Sequence, residues 1–171
     1  MTQRLPFVLT LFFVCIATTP VEATRLVGRF DVESMTREAH VVVRARVVDQ
    51  SARWDEKHER IHTRSTLRVL ERIRGEQKLS KQLVVTQVGG TVGDITMYVD
   101  GTARLSPSEE VILFLRRSDK GSYALVGMAN GKFAVQREKG RARVTREAFP
   151  SRDKDTGTSL AVLRTRVRSV R

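Results

Sequence analysis

His40-Val41-Val42-Val43-Arg44-Ala45-Arg46-Val47-Val48 places Val41, Val43, Ala45 and Val47 on one face of an extended chain and Arg44 and Arg46 on the other. Successive side chains of a strand point to opposite faces, so this period of two predicts a half-buried β-strand. A polar turn, Asp55-Glu56-Lys57-His58-Glu59, follows it. Then Ile61-His62-Thr63-Arg64-Ser65-Thr66-Leu67-Arg68-Val69-Leu70 alternates again, setting Ile61, Thr63, Ser65, Leu67 and Val69 against His62, Arg64, Thr66 and Arg68. The two runs and the turn between them predict a long hairpin.

Working outward, further short strands are expected at Gln82 to Gln87, Thr96 to Val99, Val111 to Leu115, Tyr123 to Val126, Lys132 to Gln136 and Arg143 to Arg146. Val111-Ile112-Leu113-Phe114-Leu115 is apolar at every position, so both its faces should be covered, which makes it the central core strand. Glycines punctuate the joints between strands. Asp31 to Ala39 begins with a capping residue and contains no glycine or proline, and it predicts a short N-terminal helix. Near the other end, Leu160, Leu163, Val167 and Val170 recur at helical spacing with arginines between them. They predict a C-terminal amphipathic helix over 157–171, packed on or flanking a β domain over 24–156. The expected fold is mainly β, a small antiparallel barrel or sandwich with a short helix near each end.

Residues 1–23 read as a secretory signal peptide. Arg4 supplies the basic n-region, Leu5 to Ala17 the apolar run, and Val21-Glu22-Ala23 the small residues before cleavage, leaving Thr24 as the expected mature terminus. The apolar run of 13 residues falls short of the about 20 residues that span a bilayer. Export, to the periplasm or the exterior, follows as an expectation. Cleavage also removes Cys15, the only cysteine, and with it both disulfide and thiol chemistry. The remaining 148 residues suit one domain. They keep the net charge of +12, because the signal carries one base, Arg4, and one acid, Glu22. Such an excess favours anionic partners. Arginine outnumbers lysine 23 to 7 in this part of the chain, so a basic composition in general also accounts for some of the charge.

His58-Glu59-Arg60-Ile61-His62 matches H-E-x-x-H, which binds zinc when both histidines lie on one face of a helix, about 6 Å apart. On a strand the same spacing separates them by about 13 Å. Here the first half is a turn and the second half a strand, so His58, Glu59 and His62 are weak candidates for a metal site and for a metal-dependent hydrolase. Gly89-Gly90-Thr91-Val92-Gly93-Asp94 lacks the Lys-Ser/Thr of a phosphate loop and reads as a corner or bulge. Glu109 and Glu110 are adjacent and read as a polar turn before the core strand. No catalytic residue and no cofactor is assigned. Single-strand nucleic-acid binding is disfavoured, since it needs exposed aromatics and Phe114 and Phe133 belong to apolar strands.

Several of these segments together carry a resemblance: Val41 to Val47, Trp54, Thr66 to Leu70, Arg74-Gly75, Gly89-Gly90 to Gly93, Ser108 to Leu115, Tyr123, and Gly131-Lys132-Phe133-Ala134-Val135. In that order they resemble a group of exported bacterial proteins with a compact OB-like barrel, related in shape to tissue-inhibitor-of-metalloprotease and netrin-type modules. The first strand departs from the group's V-x-G-x-V at Ala45. The resemblance implies a fold and no chemistry. Metalloprotease inhibitors act through an N-terminal cysteine, and the expected terminus here is Thr24. The sequence therefore points to a non-enzymatic exported binding or structural domain, with another envelope protein or an anionic surface component as its partner. Alternatives are the metal-dependent hydrolase and a protein that touches the membrane surface peripherally through its basic C-terminal helix.

Overall fold

The computed structural model describes residues 30–118, 121–146, 148 and 157–171. The expected signal peptide and its cleavage point at Ala23 and Thr24 lie outside these residues. The expected hairpin is present and longer than its alternation suggested: β1 runs over Val41–Trp54 and β2 over Ile61–Gly75, antiparallel in register from Val41 opposite Gly75 to Trp54 opposite Ile61. The register shifts three times along the pair: Ile73 and Leu70 are the extra residues in β2, and Val48, between Val47 and Asp49, is the extra residue in β1. A bulge of this kind bends and twists a strand, which helps a sheet to curl.

The remaining strands are β3 (Gln82–Val88), β4 (Gly90–Val92), β5 (Ile95–Met97), β6 (Glu110–Arg117), β7 (Tyr123–Leu125), β8 (Lys132–Glu138) and β9 (Arg141–Thr145). Strand order β1-β2-β3-β7-β6, with β6 pairing back onto β1, gives a closed five-stranded barrel, consistent with the OB-like expectation. Every pairing in it is antiparallel except β3 with β7, which meet in parallel at Val85 and Tyr123. Closure removes the exposed edges an open sheet of this length would present. β8 and β9 extend the sheet from β6.

Two apolar clusters flank the barrel wall, and they account for the uninterrupted Val111 to Leu115 run. Val111, Leu113 and Leu115 point into the barrel with Val41, Val43, Ala45, Val47 and Leu67. Ile112 and Phe114 point outward, with Val42, Phe133 and Val144, into a second cluster under the helices. Each such side chain contributes about 1.5–3 kcal/mol on full burial, and all five residues of the run are buried completely.

The second cluster is sealed by α1 (Val32–Glu38) and α2 (Leu160–Ser169), as the sequence anticipated. Asp31 caps α1 by accepting the Ser34 N–H at 2.7 Å, and the Ser159 hydroxyl caps α2 by accepting from Val162. Val32 and Met35 of α1, and Leu160, Leu163 and Val167 of α2, face the sheet. Arg166 of α2 grips Glu33 of α1 through both carboxylate oxygens, at 2.8 and 2.9 Å. That guanidinium holds the Glu33 carboxyl below its ordinary range, against the opposing effect of partial burial.

Several segments differ in detail from expectation, among them the strand expected at Thr96 to Val99, which is β5 over Ile95–Met97. Gly89 to Asp94 does not make a simple corner: β4 and β5 form a small separate hairpin, turning at Gly93-Asp94, that lies over the inner side of the β1–β2 arm. Gly90 permits that crossing. Its φ is +134°, and a Cβ there would stand 2.3 Å from the Thr63 hydroxyl oxygen and 3.1 Å from the Ala52 methyl. The last strand begins two residues earlier than expected, at Arg141.

Candidate functional site

The outer surface of β1, β2 and β3 carries a basic face whose rows follow from the register. Arg46 lies opposite Arg68, which lies opposite Gln82; Asp49, Thr66 and Val84 form the next row; then Ser51, Arg64 and Thr86; then Arg53, His62 and Val88. Four arginines and one histidine thus share a face with a single acid, Asp49. Arg53, Arg64 and Arg68 are exposed, and among the described residues their guanidinium groups have no ion-pair partner.

At one end this face runs into a network built on two glutamates. Glu110 accepts from Arg44 at 2.8 Å, Arg137 at 3.0 Å and Arg46 at 3.4 Å. Glu71 meets Arg164 at 2.6 Å and both Arg44 and Arg168 at 3.2 Å. Burial opposes ionisation of Glu110, but the hydrogen bonds from Arg44 and Arg137 outweigh it and hold its carboxyl below the ordinary value. Five arginines against two carboxylates leave the network positive, so it extends the basic face rather than neutralising it.

The H-E-x-x-H residues are not assembled. His58 sits in the hairpin turn with φ +55°, its ring stacked on Trp54 at 6.2 Å between centroids. Glu59 is exposed, and its N–H donates to the Asp55 carboxylate at 2.8 Å. That contact holds the Asp55 carboxyl low. His62 lies in β2, opposite Arg53 on one side and Val88 on the other. The two rings therefore have different neighbours, one at the tip and one on the basic face. Among the described residues no group of three potential metal-binding side chains occurs.

Glu109 closes the turn before β6 and Glu110 is the first residue of that strand, and the two carboxylates take different partners. Glu110 faces the arginines, and Glu109 pairs with buried Lys132 at 2.8 Å. Lys132 also donates to the Arg104 carbonyl. No helix among the described residues is long and apolar enough to cross a membrane. In α2 the buried residues Leu160, Leu163 and Val167 are spent on the protein's own second cluster.

Part of the basic face was legible in advance, because the β2 alternation groups His62, Arg64, Thr66 and Arg68. Arg53 was missed. The bulge at Val48 shifts the phase of β1, so counting by twos from Val47 puts Arg53 on the inner side. A valine that breaks the alternation just before a polar stretch was the available signal. No protein-family model and no curated protein matches the chain.

Proposed function

We propose that this chain is a non-enzymatic, exported binding domain of the OB-like group it resembles, and that the basic face of β1, β2 and β3 contacts an anionic component of the cell envelope, either an acidic protein or an anionic surface polymer. The observation that carries this reading is the row in which Arg46 stands across from Arg68. Like charges placed directly opposite on a sheet oppose folding, and a polyanion laid over them relieves that cost. Arg53 and Arg64, which have no ion-pair partner among the described residues, extend the same line of charge. The placement of His58 in a turn and His62 in a strand gives no support to a metal-dependent hydrolase. Pull-down from envelope extracts at low and at moderate salt tests the proposal. A partner retained at low salt and released at moderate salt is the expected result, and the lack of any salt-sensitive partner overturns it.

A further inference from the structure

The chain carries 31 lysines and arginines, yet none falls between Gln82 and Ala103, where the only charged residues are Asp94 and Asp100. That stretch contains the β4–β5 hairpin and the turn after it, which Thr102 closes by donating its N–H to the Val99 carbonyl. Asp94, Thr96, Tyr98 and Asp100 recur at every second residue and all are exposed, Tyr98 to 84%. Met97 and Val99 between them are half-buried, Met97 opposite Gly90 and Val99 beside Gly89, while Ile95 at the turn is exposed as well. The result is an outward line of carboxylate, hydroxyl, phenol and carboxylate, at steps of about 7 Å where the chain is extended. Neither aspartate has an ion-pair partner among the described residues.

β2 presents a second line with the same repeat: His62, Arg64, Thr66 and Arg68, with Arg53 of β1 opposite His62. Run in opposite directions, the two lines set Asp94 on Arg68, Thr96 on Thr66, Tyr98 on Arg64 and Asp100 on the row of Arg53 and His62. Carboxylates then meet guanidinium groups at both ends, and an aromatic ring meets one in between. A single molecule cannot make this contact with itself. Gly90 lies against Thr63 and Ala52 on the inner side of the β1–β2 arm, whereas Arg53, His62 and Arg64 are on its outer side. Two copies, each of net charge +12, repel at long range. At about 0.15 M salt, charges farther apart than about 8 Å are largely screened, so the facing groups decide.

We propose that the β4–β5 hairpin docks on a second copy of this chain, with Asp94, Tyr98 and Asp100 of one copy on Arg68, Arg64 and Arg53 of the next. The contact is heterologous and leaves each copy a free hairpin or a free face, so copies add in a row. It rests on the reading of the basic face as a binding surface, and a polyanion on that face competes with it.

Sedimentation equilibrium of the parent chain over a concentration series at about 0.15 M salt is the test. The expected result is a weight-average mass that rises past that of a dimer. D94K/D100K, which disturbs no described side-chain contact, should associate more weakly by about tenfold, and so should R53Q/R64Q/R68Q. Mixed in equal amounts, these two variants should form heterodimers and stop there, because each keeps the surface the other has lost. D94K/D100K should also bind the polyanion heparin as the parent does. A parent that stays monomeric, a variant that associates as the parent does, or a mixture without heterodimers overturns the proposal. Heparin binding by the parent in any of those cases leaves the reading of the basic face standing, so the two fail separately.

Discussion

Arg46 of β1 lies directly across from Arg68 of β2. The two are not equivalent: Arg46 reaches Glu110 at 3.4 Å, while Arg68 has no partner among the described residues. Replacing Arg68 by Glu converts a like-charge pair into an opposite one. R68E is expected to raise stability by about 0.2–1 kcal/mol and to weaken capture of the anionic partner. Thermal melting read beside the pull-down checks both. A residue kept at some cost to folding and needed for binding is the pattern a functional surface produces.

Glu110 serves three arginines with a side chain only 10% exposed. Because its carboxyl ionises below the ordinary value, the folded state binds its proton less readily than the unfolded chain does. Its contribution to stability is full at neutral pH and is lost as pH falls through the carboxylate range and below. E110Q is expected to lower stability at pH 7 by about 1–2 kcal/mol. The gap between variant and parent should close on acidification, as urea melts across a pH series would record.

Lys132 is paired with Glu109 almost out of solvent, its own side chain 3% exposed. Removing one partner of such a pair leaves the other charge stranded, at a cost of about 3–5 kcal/mol. K132M is expected to show a loss of that order, and K132M/E109Q to recover much of it. Denaturant midpoints of the parent, the two single variants and the double variant measure the coupling.

Gly90 lets β4 cross the hairpin arm, with the Thr63 hydroxyl donating to the Gly89 carbonyl at 2.7 Å. G90A is expected to destabilise the protein clearly, since the added methyl meets Thr63 and Ala52. G93A adds its methyl in open space and carries only the strain of φ +57°, so it should cost less. Melting temperatures of the two variants rank them.

The sequence was most informative where one physical rule decided the outcome. The alternation in Val41 to Val47 and in Ile61 to Val69 reported a wall with one apolar side, and the unbroken Val111 to Leu115 run reported a strand covered on both. Periodicity at 3.6 likewise exposed α2, because Leu160, Leu163 and Val167 must find a shared surface. Closure was legible only as one of two alternatives, barrel or sandwich, since the parallel meeting of Val85 with Tyr123 that completes the barrel joins strands far apart in the chain and leaves no local mark. The basic face was only half legible, because the Val48 bulge hides the phase of Arg53.

The central claim is that Arg53, Arg64 and Arg68 form one electrostatic binding surface. Binding to heparin, a sulfated glycan, across a salt series tests it most directly, comparing the parent chain with R53Q/R64Q/R68Q. Counterion release makes log affinity fall linearly with log salt, by about one unit of slope for each cation engaged. A slope shallower by about two to three in the triple variant, with weaker binding at low salt, is the expected result. Equal slopes and equal affinities in the two proteins would contradict the account.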